Sequence, residues 1–164
     1  MTTTHSYQNA QLSPGERAED LLRRMTPEEK VGQMLQLDGQ GDLRELTQER
    51  LAGSLLHING ARANEAMDLA AATRLGIPLL IADDCIHGHS FWPGATIFPT
   101  QLAQASSWNE TLIEAAARAT AGEVACTGIH WTFSPVLCLT RDLRWGRVGE
   151  TFGEDPRLIA RLGE

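Results

Sequence analysis

The sequence predicts an α/β fold with a parallel sheet, in the form of a partial (β/α)8 TIM barrel with about the first four β/α units behind an N-terminal helical segment. Three observations carry this. Strand-sized apolar runs alternate with stretches of helical periodicity. The run at residues 77–82, Ile-Pro-Leu-Leu-Ile-Ala, lacks polar alternation, as suits a strand covered on both faces. Two long polar loops follow the third and fourth strands, on the face where barrel enzymes build their sites. A doubly wound sheet is the alternative, but Gly39-Gln40-Gly41 lacks a third glycine and runs into Asp42, which does not suit a pyrophosphate. With 164 residues the chain is shorter than the ~250 of a full barrel, so only part of one is expected.

Residues 1–12 are polar and without pattern, and a disordered tail is expected there, with the barrel portion over 13–164. Ser13-Pro14-Gly15-Glu16 opens a first helix whose apolar side is Leu21, Leu22 and Met25. Thr26-Pro27-Glu28-Glu29 repeats the signal as a capping box. Val31 to Leu37 reads as a helix running into a strand, and residues 55–58 as a second strand closed by the turn Asn59-Gly60. An alanine-rich helix is expected over 62–75, ended by Gly76, then the strand 77–82, which stops at Asp83-Asp84. Beyond a long loop, helical stretches are expected over 100–105 and 110–126, the second capped by Asn109. A strand over 129–136 is broken by Pro135, a polar loop follows to Asp155, and a last helix starts at Pro156.

Apolar residues make up 42% and charged residues 21%, enough for a core and too little charge for disorder. The 14 Lys and Arg against 21 Asp and Glu leave a net charge of −7 with no basic run, which excludes nucleic acid as a partner. Lys30 is the single lysine, so a catalytic lysine is not expected. No apolar run approaches the ~20 residues of a membrane span. The N-terminus carries no secretory pattern, and Cys85, Cys126 and Cys138 have no paired spacing, so free thiols and a cytoplasmic location are expected.

The richest cluster is Asp83-Asp84-Cys85-Ile86-His87-Gly88-His89, two carboxylates and two imidazoles just beyond a strand. One reading takes His87 and His89 with an aspartate as metal ligands that activate water. Another has Asp84 capping the loop backbone and the histidines hydrogen-bonded or solvated. A third has a carboxylate, best Asp84, accepting hydrogen bonds from adjacent sugar hydroxyls. Arg141-Asp142-Leu143-Arg144-Trp145-Gly146-Arg147 packs three guanidiniums, a carboxylate and an indole into seven positions. Arginine forks hold hydroxyls or pair with Asp142, Glu150, Glu154 or Asp155, and an indole offers a face to a sugar ring. Glu150, Glu154 and Asp155 are weaker candidates for a catalytic carboxylate pair, since Asp155-Pro156 reads as a helix cap. Cys85 is the one thiol near the cluster, with no evident activating base.

Several segments together resemble glycoside hydrolase family 3, the β-glucosidase and β-xylosidase group. They are Met25-Thr26-Pro27-Glu28-Glu29-Lys30-Val31-Gly32-Gln33-Met34, Gly76-Ile77-Pro78-Leu79-Leu80, Asp84-Cys85-Ile86-His87-Gly88, Ala95-Thr96-Ile97-Phe98-Pro99, Trp131-Thr132-Phe133-Ser134-Pro135-Val136 and Arg144-Trp145-Gly146-Arg147, the last followed by Glu150 and Phe152-Gly153-Glu154-Asp155-Pro156. The resemblance implies a retaining, exo-acting β-glycosidase on an N-terminal barrel, with Asp84 and Arg144 matching positions that hold sugar hydroxyls. It also implies that the nucleophile and the acid/base lie beyond Glu164, so that this chain holds no catalytic residue and no turnover is expected from it alone. Cys138 and Leu143 stand where many members carry aspartate and proline. The resemblance implies a β-glucoside or β-xyloside saccharide as partner, no cofactor and no metal. Exposed barrel edges predict self-association. A metal-dependent hydrolase using His87 and His89 with Asp83 or Asp84, or a non-catalytic sugar-binding module, are the alternatives.

Overall fold

Proline and a capping box open each of the first two helices in the computed structural model, which describes residues 6–164. In α1 (Pro14–Arg24) the Ser13 hydroxyl accepts the Glu16 N–H, and the Glu16 carboxylate accepts the Ser13 N–H. Thr26 and Glu29 repeat the exchange in α2 (Pro27–Gln33). Each pair satisfies donors that the first helical turn leaves without an internal partner.

The chain divides into two compact units, Met1–Leu55 with Glu65–Leu79, and Leu56–Asn64 with Leu80–Glu164. In the first, Leu22, expected on the apolar side of α1, is 53% exposed while Leu21 and Met25 are half-buried, and Asp20 is buried and binds Arg24 and the Tyr7 N–H. Of the tail expected over 1–12, residues 1–5 lie outside the described residues. Ser6–Gln8 forms a short 3-10 turn, and the Tyr7 hydroxyl donates to the Leu75 carbonyl at 3.0 Å.

α2 runs into β1 (Gln36–Asp38), whose neighbour is β2 (Ser54–Leu56). The Gly53 N–H donates to the Gly32 carbonyl at 3.0 Å, and a Cβ on Gly53 would collide with the Gln33 carbonyl, so the chain needs glycine where it passes α2. Arg74 closes this unit by pairing with Glu29. Its buried apolar residues include Leu43, Leu46, Leu55, Ala66 and Ala70.

Helix α3 (Gly60–Ala71) ends earlier than its periodicity predicts. The Thr73 hydroxyl takes the Ala70 carbonyl at 2.7 Å, and Gly76 turns the chain at φ 59.

In the second unit β3 (Leu80–Asp83) pairs in parallel with β4 (Trp131–Thr132), Ala82 opposite Trp131 and Asp83 opposite Thr132. β3 starts later than expected because Pro78 has no N–H to give a neighbour. Leu80 is 52% exposed, so the strand is not covered on both faces along its whole length. β4 is much shorter than the expected 129–136, stopping ahead of the cis peptide Ser134-Pro135. Helix α4 (Gln101–Ala105) falls within the helical stretch expected over 100–105, and α5 (Glu110–Cys126) and α6 (Pro156–Leu162) start at their caps Asn109 and Asp155. Ala105, Ile113, Phe152 and Ile159 form an apolar cluster with Leu162 packed against it. No helix among the described residues is long and apolar enough to cross a membrane.

Candidate functional site

The sequence cluster lies at the C-terminal end of β3, where Ile81 and Ala82 are fully buried and the chain turns polar in one step. Asp83, the last strand residue, is 0% exposed. Its Oδ1 accepts the Asp84 N–H at 2.9 Å. Burial raises its carboxyl above the ordinary value, with the hydrogen bond from the Asp84 N–H working the other way. Asp84, which follows, is half-buried.

The loop that follows separates the two histidines. His87 Nδ1 lies 2.8 Å from the Phe98 carbonyl, and the Phe98 N–H returns a bond of 2.8 Å to the His87 carbonyl. Gly88 sits between them at φ 122, and a Cβ there would collide with the Thr96 carbonyl. The loop is anchored on α5, where the Glu123 carboxylate accepts the Thr96 N–H and hydroxyl, each at 2.9 Å.

His89 is fully buried, its ring stacked on Trp92 at 6.4 Å between centroids. The Thr127 hydroxyl donates to the Val124 carbonyl, so at 2.9 Å it accepts from His89 Nε2–H. In the neutral ring Nδ1 is then the acceptor, and it faces the Cys85 sulfur at 3.5 Å. Burial, and after it the charges of Asp83 and Asp84, push the Cys85 thiol up to about 12, so it is a proton donor to His89 and not a nucleophile. The metal-hydrolase alternative built on His87 and His89 is not what the fold assembles: among the described residues neither imidazole joins Asp83 and Asp84 in a group with ligand spacing, and His89 is buried with Nε2 on the Thr127 hydroxyl.

A different histidine joins the aspartates. His57, at the end of β2 with φ 60, brings a ring nitrogen to a group in which one ligand atom each of His57, Asp83 and Asp84 all lie within 4.8 Å of one another. Its ring lies 6.3 Å from that of Phe91, whose carbonyl accepts from Asn59. His57 belongs to none of the residue clusters legible in the sequence. The signal was its place at a strand end just before a turn, the same setting that singled out Asp84.

The arginine loop resolves into two separate pairs. Arg144, whose side chain is 90% exposed, wraps Asp142 with Nε at 2.9 Å from Oδ1. Arg147 binds Glu150 with Nε at 2.9 Å from Oε2. Hydrogen bonding to Glu150, then the charges of Glu150 and more weakly of Asp84, raise the Arg147 guanidinium above its ordinary value. Asp84 is no such influence on Arg144, whose shift comes from Asp142. Trp145 is half-buried and Arg141 exposed. Asp142 and Glu150 are both held below their ordinary values by the arginine hydrogen bonds, so both are ionised acceptors. Asp155 caps α6 through the N–H groups of Arg157 and Leu158. A hollow of this unit is lined by His87, Thr132, Ser134 and Phe152, without Asp84, Arg144 or Arg147.

A family model described as the glycosyl hydrolase family 3 N terminal domain matches residues 26–164. The periplasmic beta-glucosidase of Salmonella typhimurium is 35% identical over 152 residues, covering 88% of this chain and 19% of that protein. A beta-glucosidase involved in saponin metabolism from intestinal bacteria superposes with a TM-score of 0.77 at 62% identity, over 91% of this chain and 20% of that one. A beta-glucosidase from Listeria innocua, solved in complex with glucose, gives 0.78 at 36% identity, over 92% of this chain and 23% of that one. The chain thus spans about a fifth of the length of these relatives. A partial (β/α) barrel, the fold class the sequence predicts, is consistent with these likenesses.

Proposed function

This chain belongs to glycosyl hydrolase family 3, and from that premise we propose that it supplies the sugar-holding part of a retaining, exo-acting β-glucosidase-like site for terminal non-reducing β-D-glucosyl residues. The end of β3 supports the reading. Asp84 is a half-buried carboxylate fixed by its own backbone to a buried neighbour, and an ionised carboxylate so held can accept two hydrogen bonds from vicinal hydroxyls. The guanidinium partner comes from the 144–147 turn. Arg144 is the residue expected from the motif, while Arg147 is the one that feels the charge of Asp84. Glucose, the ligand named with the Listeria innocua enzyme, is of the class that this pairing would hold.

Holding a sugar is not cleaving it. Retaining hydrolysis needs a nucleophile and a proton donor about 5–5.5 Å apart across the bond, and the donor needs a raised pKa. Among the described residues of the arginine loop, Asp142 and Glu150 are lowered, and Asp155 is spent on a helix cap. The raised carboxyl, Asp83, is fully buried. None of these is a raised carboxyl open to a substrate, which supports a chain that holds the ground state without accelerating the chemistry. An aryl β-glucoside assay tests this: no release of the phenol is expected from the purified chain, and release abolished by Glu150→Gln would overturn it. Self-association belongs to the same proposal, because Leu80, Trp131, Leu137 and Leu143 are exposed. Sedimentation coefficients rising with concentration would bear it out.

A further inference from the structure

We infer that His57, Asp83 and Asp84 form a binding site for one divalent cation of the zinc class. The three come from two strand ends of the second unit, and one candidate ligand atom of each lies within 4.8 Å of the other two. Proximity of acids and a histidine is not enough, and the buried member supplies the independent observation. Asp83 is 0% exposed, its Oδ1 is used by the Asp84 N–H, and among the described residues its Oδ2 has no hydrogen-bond partner. A carboxylate oxygen out of water without a donor is costly and calls for a proton, a water or a cation.

A single proton, even one shared between the two carboxylates, removes one of their two negative charges and leaves the other. A cation uses all three groups at once. Two carboxylates carry two negative charges, matching a divalent ion, and the imidazole nitrogen discriminates between ions. Calcium takes 6–8 oxygen ligands and magnesium keeps several waters, whereas zinc accepts mixed nitrogen and oxygen ligands at about 2.0–2.2 Å. Those bond lengths put tetrahedral ligand atoms roughly 3.3 Å apart, so modest side-chain rotations close the group onto the ion. His87 and His89 lie outside this group, and His89 is fully buried with Nε2 on the Thr127 hydroxyl.

Asp84 is also the carboxylate of the sugar reading, and resting on that reading, cation and glucose exclude each other. Calorimetric titration of Zn2+ into the sugar-free protein tests the site. One-site binding is expected, weakened at least about tenfold in Asp83→Asn and in His57→Asn, since asparagine tolerates the positive φ of position 57. Far-UV circular dichroism confirms that both variants fold, and Cys126→Ser with Cys138→Ser, at exposed thiols, leave binding unchanged. No binding, binding that survives both replacements, or loss only in the cysteine variants overturns the site. Glucose titrated with and without Zn2+ forms the second arm, in which weaker glucose binding with Zn2+ is expected. Glucose that fails to bind even without Zn2+, while the zinc arm holds, overturns the sugar reading and leaves the cation site standing. Glucose binding indifferent to bound Zn2+ overturns Asp84 as the shared ligand.

Discussion

The backbone N–H of Asp84 donates to Oδ1 of Asp83 at 2.9 Å, so a carboxylate with no exposed surface fixes the peptide that presents a half-buried one. The strand beneath makes this possible. Ile81 and Ala82 are buried, β4 runs alongside, and the polar turn begins only after the apolar run is exhausted.

Replacing Ile81 by alanine removes packing under that turn. Because the side chain is fully buried, the loss should be about 2–5 kcal/mol, seen as a lower urea midpoint with an unchanged slope. A midpoint within error of wild type would mean that β3 does not anchor the site.

Arg144 is the arginine of the turn that the motif assigns to a sugar hydroxyl. Arg144→Ala should weaken glucose binding about tenfold, the usual effect of losing a charged hydrogen bond. Arg147→Ala, measured beside it, reports on the Glu150 pair instead. Calorimetry on both variants checks this, and glucose binding unchanged in Arg144→Ala would take the sugar contact away from Arg144.

Cys85 should be silent where the other thiols react. Its sulfur is buried, its pKa is pushed up to about 12, and it faces His89, while Cys126 and Cys138 are exposed. A chromogenic disulfide reagent should therefore titrate two thiols in the native protein and the third only after denaturation. Fast reaction of Cys85 would contradict the hydrogen-bond assignment at His89.

Acid should weaken the first unit through Glu29. Hydrogen bonding from Arg74 holds its carboxyl below the ordinary 4.5, so the folded state binds this proton less readily than the unfolded chain. The pair's contribution is complete above the ordinary value and is lost as pH falls through the lowered one. Urea midpoints from about pH 6 to about pH 3 should fall less steeply in Glu29→Gln than in wild type. Parallel profiles would show that the Arg74 bond does not persist in solution.

How far these features can be read from the sequence depends on the range of the forces involved. The two capping boxes and the Asn109 and Asp155 caps lie where the residue spacing puts them, because each is settled within four residues. Strand limits depend on which neighbour offers carbonyls and N–H groups, so β3 starts after Pro78 and β4 shrinks to Trp131 and Thr132. Asp84 was legible because an apolar run ends at its door. The sequence sets His87 and His89 two positions apart as equals, yet one closes a loop and the other is a core residue held by Thr127, which is 38 positions away. His57 meets the aspartates only through the fold, and the different surroundings of Arg144 and Arg147 arise from a turn whose acceptors, Asp142 and Glu150, flank them on opposite sides.

Calorimetric titration of glucose into the wild-type protein and into Asp84→Ala tests the central claim most directly. Saturable binding to wild type, weakened at least about tenfold in the variant, is the predicted result. Equal binding by both proteins would contradict it, placing the sugar, if one is held, away from the end of β3.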